Sequence, residues 1–523
     1  MRSTCEMIIQ SRETIGDVPP ELIGASTALA GSKLYLFGGS LAFSPEPKPI
    51  ADLYVLDLEL WKWEKLQPAV EDPLPMPRCF HTIDIWNNHL VVFGGLGEGS
   101  DSGELQNLND VQLFNISTRR WLQSPGPRSP AVSPPMAPIP RPRHSHLSCI
   151  SLNQLLVIGG RDSGGNTLTD ICVYDLGKKE WICRQQYFPT VDADHALAAT
   201  SQWHIRASTP DLPGDTECGS HATPLSYSEL ATDQSPCDMY VYNADRPQSK
   251  LDVLRPLSDG KIQKERLLPP VAIPSLRFPS GAILGNTLIV AGNNSADNAE
   301  RAFSIWTLDL ETRTSVCIGT GDLLKNGSWG KSFLWHEQNQ LFVFGKAAGS
   351  FVTDASEQRL VLGWDAVTVV NLEALGIYQP PTLKWTPPLE SWVLHHSLTV
   401  NRPISPLCAT TGGEQHTQLS GADDSRKHQK RTEVVITQTS LTLSQSYPVT
   451  MAMLQYFYSL ALETTLQRAP AVLSYLLLIS TEFHILNLRA LVMHAMHVAL
   501  TQATAEGVYE IAASCGCRSL QIR

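Results

Sequence analysis

Short apolar runs alternate with polar turns through most of the chain. Three of them align: KLYLFGG (Lys33–Gly39), HLVVFGG (His89–Gly95) and LLVIGG (Leu155–Gly160). Each has the length of a strand and runs into Gly-Gly, at Gly38 and Gly39, Gly94 and Gly95, and Gly159 and Gly160. A polar loop follows each doublet, then a second apolar segment: ADLYVLDLE, NDVQLFNIS or TDICVYDLG. An aromatic residue there precedes a Trp by seven positions, as Tyr54 and Trp61, Phe114 and Trp121, and Tyr174 and Trp181. A Pro-Arg-x-x-His element stands ahead of two doublets, and Arg78 to Gly94 spans 16 residues, as does Arg143 to Gly159.

Weaker copies follow. LRFPSGAILGNTLIVAGN keeps an Arg (Arg277) 15 residues before Gly292, and KSFLWHEQNQLFVFGK keeps Gly345. The first glycines at 38, 94, 159, 292 and 345 leave one double-length gap, where only CDMYVYNAD (Cys237–Asp245) marks a hidden unit. Four short antiparallel strands cannot bury both faces alone, whereas blades packed around an axis bury one another. The Gly-Gly, aromatic and Trp pattern with this period resembles the kelch β-propeller family. The resemblance implies six units between about residues 22 and 378, so the expected fold is mainly β, a six-bladed and partly degenerate propeller. Its sixth unit lacks a Trp-bearing fourth strand, which EMIIQS (Glu6–Ser11) is expected to supply. Insertion loops are expected at about 125–142, which is Pro-rich and reads as an SH3-type ligand or a stiff connection, and at about 200–236.

The pattern changes after a Pro-rich joint, placed at 381–392. TEVVITQTSLTL (Thr432–Leu443) reads as extended, and helical spacing takes over behind it. Met451, Leu454, Tyr458 and Ala461 fall on one predicted face; Leu488, Leu491, Val492, Ala495 and Met496 fall on another. Pro470 suits a helix start and Gly516 a helix end. MLQYFYSLAL (Met453–Leu462) and LLLISTEFHILNLRALV (Leu476–Val492) resemble the second half of a BTB/POZ domain, and HHSLTVNRPISPL (His395–Leu407) resembles a degenerate piece of its first half. The domains expected are therefore a propeller over 1–380 and a smaller α-rich, BTB/POZ-like domain over 393–523, with a polar insertion at about 408–431. The charged run at 423–431 reads as a solvated loop, or as a nuclear-import or acidic-lipid signal.

Composition narrows the chemistry. The formal net charge of −11 disfavours nucleic acid as the main partner. The longest apolar run, Val472–Ile479, is far short of a membrane span. No secretory leader is read at the N-terminus. Eleven cysteines without framework spacing fit reduced thiols in a cytoplasmic protein, so the sequons at Asn115, Asn293 and Asn326 read as chance matches. No cofactor, metal or catalytic residue is expected. His81, His144 and His146 read as fold residues of the repeat, and His494 with His497 or Cys515 with Cys517 make no complete metal site.

Blades followed by a BTB-like tail resemble the leucine-zipper-like regulator family and a group of fungal kelch proteins described as Ras activators. The resemblance implies a non-enzymatic interaction scaffold in Ras signalling and cell polarity, located in the cytoplasm and extending to the cell cortex. The propeller would hold a Ras-type GTPase or its regulator, and the tail would assemble the complex or form a homodimer. Two alternatives stay open: a substrate receptor for a cullin-type ubiquitin ligase and, more distantly, a kelch-type copper oxidase, whose chemistry needs converging Tyr, Cys and imidazole ligands.

Overall fold

The computed structural model describes residues 8–44, 48–98, 104–122, 138–187, 193–200, 237–244, 249–256, 261–267, 273–294, 303–325, 327–346, 360–381 and 446–522. The chain divides into two compact units, one built mainly from residues 1–380 and the other mainly from 381–521.

Among the described residues the first unit holds six sheets built on four antiparallel strands each, and a small three-stranded sheet of Val361–Leu362, Leu22–Ile23 and Ser40–Leu41. Sheet 1 contains Ser26–Ala30, Lys33–Phe37, Leu53–Asp57 and Lys62–Leu66; sheet 2 contains Thr82–Trp86, His89–Glu98, Leu105–Asn115 and Arg120–Leu122. Sheet 3 contains Leu147–Ser151, Gln154–Ile158, Asp170–Asp175 and Glu180–Gln186. Sheet 4 contains Ala196–Thr200, Met239–Asn243, Lys250–Pro256 and Ile262–Leu267; sheet 5 contains Leu276–Leu284, Thr287–Asn294, Phe303–Asp309 and Ser315–Cys317. Sheet 6 takes Ser328–Trp335, Gln340–Lys346 and Ala366–Asn371, and its fourth strand is the N-terminal Ile9–Glu13, with Ile9 opposite Val370 and Glu13 opposite Ala366. The first strand of each sheet neighbours that of the next, and that of sheet 6 neighbours that of sheet 1. Second strands such as Leu155–Ile158 are buried on both faces, which is why they read as unbroken apolar runs rather than alternating ones.

The third and fourth strands are joined by one recurring turn. Asp57, Asn115, Asp175 and Asp309 each accept backbone N–H groups two or three residues ahead through the side-chain Oδ1. The residue four positions on is left-handed in each: Trp61, Arg119, Lys179 and Arg313, with φ of 57–59°. This turn corrects the seven-residue spacing in sheet 1. Phe114 lies directly opposite Trp121 and Tyr174 opposite Trp181, but the equivalent pair in sheet 1 is Leu56 and Trp63. Tyr54 faces Lys65, and Trp61 is the turn residue itself. Trp63 is fully buried and meets Phe344 at 6.4 Å, as Trp121 meets Phe37 at 5.0 Å and Trp181 meets Phe93 at 5.3 Å. In each case the Phe precedes the glycine of the neighbouring sheet.

Sheet 4 supplies the hidden unit. Met239–Asn243 takes the place of the Gly-Gly strand, with Asn243 and Ala244 where glycines stand elsewhere. The expected insertion lies between its first two strands; residues 201–236, most of the Pro-rich loop, the joint from 382, and everything predicted over 393–445 fall outside the described residues, as does Asn326.

The second unit contains, among the described residues, five helices: α1 (Tyr447–Ser459), α2 (Pro470–Glu482), α3 (Leu486–Val498), α4 (Ala505–Ser514) and α5 (Arg518–Ile522). Pro470 opens α2, and Gly516, at φ 66°, follows α4 while the Cys517 N–H returns to the Ala512 carbonyl. The core-facing side of α3 is the predicted one. That of α1 is not: Val449, Ala452, Met453 and Tyr456 are buried and Tyr458 is exposed, because α1 is apolar around much of its circumference and several faces satisfy the same spacing. Fully buried Gln467 fixes the chain after α1. Its amide donates to the Ala452 and Ala461 carbonyls, and its Oε1 accepts the N–H groups of Glu463 and Thr464. No described helix is long and apolar enough to cross a membrane.

Candidate functional site: the axial cavity

The signature residues converge on the joints between sheets. Arg78 is fully buried; it holds Asp110 in a bidentate pair at 2.8 Å and donates to the carbonyls of Gly94 and Met76. Arg143 repeats this with Asp170 at 2.7 and 3.3 Å and with the carbonyls of Gly159 and Arg141. The 16-residue spacing is thus the distance from a guanidinium to the glycine carbonyl that it holds. Burial pushes the Asp110 and Asp170 carboxyls up, but their arginines outweigh it and hold both below the usual carboxylate range.

The glycines leave room for the neighbouring sheet. Gly38 has φ 65°, and a Cβ there would stand 2.5 Å from the Arg78 carbonyl oxygen and 2.8 Å from His81 Cε1. A Cβ on Gly94 would meet Arg143 O and His146 Cε1, each at 3.0 Å. The second glycines make room within a sheet: Gly95 lies against His81, and Gly160 against His146. Gly39 donates its N–H to the Arg78 carbonyl at 2.8 Å. His81 and His146 are buried edge-on to Phe37 and Phe93, at 5.3 and 5.0 Å, and burial drives both imidazoles well below their ordinary pKa. His144 Nδ1 instead donates to Asn107 Oδ1 at 2.9 Å.

The first strands of the six sheets enclose a cavity of about 400 Å³. Backbone hydrogen bonds step around it: Phe80 N–H to Gly24 O, Ser145 N–H to Phe80 O, Ala193 N–H to Ser145 O and Phe278 N–H to Asp194 O, at 2.7–2.9 Å. Side chains add to the stitching. Ser26 donates to the His81 carbonyl, Thr82 Oγ1 meets His146 Nε2 at 3.0 Å, and the Ser280 and Ser332 hydroxyls meet at 3.0 Å. The walls are partly aromatic, with Phe80, Phe278, Phe333 and Trp364. Asp84, Asp194 and Lys331 also line it, and the sequence reading singled out none of them. Asp84 accepts a hydrogen bond from Ser148, and burial pushes its carboxyl up to about 6. Burial brings the Lys331 ammonium down to about 8. Asp84 and Lys331 lie in first strands, at positions outside the Gly-Gly, Arg and Trp signature, so no sequence signal marked them.

Among the described residues no three His, Cys, Asp or Glu side chains are placed to hold a metal ion. Cys515 and Cys517 are buried thiols, and Arg489 Nη2 lies 3.1 Å from Cys517 Sγ. Asn293 is buried and donates to the Trp329 carbonyl, a position that a glycan could not occupy.

Residues 3–202, the stretch that contains sheets 1–3, match the family model described as the KLHDC2/KLHL20/DRC7 Kelch-repeats domain. Among individual proteins, Protein ral2 of Schizosaccharomyces pombe is 23% identical over 577 aligned positions, covering 97% of this chain and 92% of that protein. The N-(sulfonatooxy)prop-2-enimidothioate sulfolyase of Thlaspi arvense is 31% identical over 113 residues, 21% of this chain and 31% of that one. The solved structure of YjhT overlaps 69% of this chain and 99% of its own with a TM-score of 0.42 and 15% identity.

Proposed function

We propose that this chain is a non-enzymatic interaction scaffold. Its six sheets act as the blades of one closed propeller that holds a protein partner, and residues 393–523 act as a BTB/POZ-like module that assembles the complex. The observation that carries the reading is the extent of the likeness to Protein ral2: it runs through both the β-rich and the helical part and spans nearly the whole of both chains. The geometry agrees with it. The imidazoles that a copper site would need are spent in packing against Phe37 and Phe93. The likeness to the sulfolyase reaches only a third of that enzyme.

The partner proposed is a Ras-type small GTPase or its regulator, in the cytoplasm and at the cell cortex. The support is the resemblance of the closing run from Arg468 to Arg523 to the fungal Ras-activator kelch proteins. The test is fluorescence anisotropy of a labelled Ras-type GTPase titrated with the purified full-length chain. Binding at or below about 10 µM, a free energy of about −7 kcal/mol, is expected for a specific signalling contact. No binding by the GTPase or by its exchange factor, with capture of a cullin in the same format, would replace this reading by the ligase receptor.

A further inference from the structure

The axial cavity holds an acid, Asp84, and a base, Lys331, that do not pair with each other. Asp84 comes from the first strand of sheet 2, and Lys331 from that of sheet 6. Among the described residues Ser148 is the one hydrogen-bond donor to Asp84. Lys331 makes no ion pair or hydrogen bond there; its ammonium stands 6.0 Å from the centre of the Phe333 ring. Neither charge perturbs the other. Sheet 1 lies between them and brings Thr27, whose buried Oγ1 has no hydrogen-bond partner. Asp194 of the sheet 4 segment also lines the cavity.

Burial of unpaired charge and of an unsatisfied hydroxyl is costly, and it is relieved when a partner supplies the opposite groups. We propose that the cavity binds a small zwitterion, with its amine at Asp84, its carboxylate at Lys331 and the Thr27 hydroxyl, and its aliphatic middle along Phe333 and Trp364. The volume of about 400 Å³ is in the range of small-ligand pockets. A ligand with only one charge would leave either Asp84 or Lys331 unmatched, so both termini are required. The upward displacement of the Asp84 carboxyl and the downward displacement of the Lys331 ammonium have one cause, the loss of water around each charge.

The test is isothermal titration calorimetry of the purified full-length protein, with no partner present, so its outcome is separate from that of the scaffold reading. The probes are glycine, β-alanine, γ-aminobutyrate and ε-aminocaproate, with caproate and hexylamine as single-charge analogues. Binding is expected at one or two neighbouring chain lengths, and it should weaken at least about tenfold in Lys331→Met and in Asp84→Asn. No heat with any zwitterion would overturn the proposal. So would equal affinity for caproate or hexylamine, a comparison made on the unaltered protein that does not depend on whether either variant folds.

Discussion

Replacing Arg143 by Met tests whether the equally spaced arginines Arg78 and Arg143 hold neighbouring strands together through buried charge. Arg143 is fully buried, and the Asp170 side chain is only 8% exposed. Met fills similar volume but leaves the carboxylate with Arg184 alone, at 2.8 Å, and that guanidinium is itself 35% exposed. The carbonyls of Gly159 and Arg141 also lose a donor. Removing one member of a buried pair costs about 3–5 kcal/mol, and the remaining Arg184 contact places this case near about 4. With unfolding entropy of about 2.1 cal/mol/K per residue over a unit of about 370 residues, that is a fall in Tm of about 5 °C. The assay is thermal and urea denaturation followed by tryptophan fluorescence. Asp170 titrates below its ordinary range when folded, so the pair's contribution is present above about pH 4 and is lost as pH falls through the lower folded value. The gap between wild type and Arg143→Met should therefore narrow in acid. The double variant Arg143→Met with Asp170→Leu removes both charges and should recover part of the loss. A single variant within about 0.5 kcal/mol of wild type, or a double variant worse than the single, would refute the reasoning.

Further outcomes follow from the same geometry. Trp63→Ala should cost about 3–5 kcal/mol by urea denaturation, whereas Trp61→Gly should cost clearly less, because glycine suits the left-handed turn and offsets the lost contacts with Phe342 and Arg12; the reverse order would mean that the seven-residue spacing had marked the right residue. Gly38→Ala should lower Tm clearly more than Gly31→Ala: both positions have positive φ, but a Cβ at Gly31 meets nothing within 4 Å while one at Gly38 meets the Arg78 carbonyl at 2.5 Å. Deleting residues 1–18 should lower the Tm of the β-rich unit, since Ile9–Glu13 would no longer pair with Ala366–Asn371; an unchanged melt would argue against closure by this strand. Asp84 has a raised folded pKa, so the wild type loses stability as pH rises from about 4 to about 6, and Asp84→Asn should flatten that slope in pH-dependent melts. The other ionisable groups that line the cavity are His81, His146, Asp194 and Lys331, with Cys149 also feeling the Asp84 charge, and none of them is altered in that variant.

Much of the repeat was legible because backbone geometry forces it into the sequence. A glycine that must clear the next sheet's arginine carbonyl cannot be replaced cheaply, so Gly38 and Gly94 stand out. An arginine that must reach that glycine's carbonyl keeps a fixed distance from it. Trp61 misled because aromatic residues two apart on one hairpin satisfy the same count; the Asp57 turn, repeated at Asn115, Asp175 and Asp309, sets the true register. Sheet 4 was nearly silent because Asn243 and Ala244 take the glycine places and the insertion after Thr200 breaks the spacing. In α1, an apolar surface wider than one stripe left the buried face open. Asp84 and Lys331 were invisible because a lone charge within a strand carries no periodic signal; only closing the sheets around an axis brings them to one cavity.

The central claim, an interaction scaffold, is tested most directly by affinity capture of tagged full-length chain beside a tagged 1–380 fragment, read by quantitative mass spectrometry. The account predicts a near-stoichiometric protein partner retained by both, a Ras-type GTPase or its regulator, with a second set of proteins lost with the tail. Recovery of no partner by either one, at expression levels where both are folded, would contradict it.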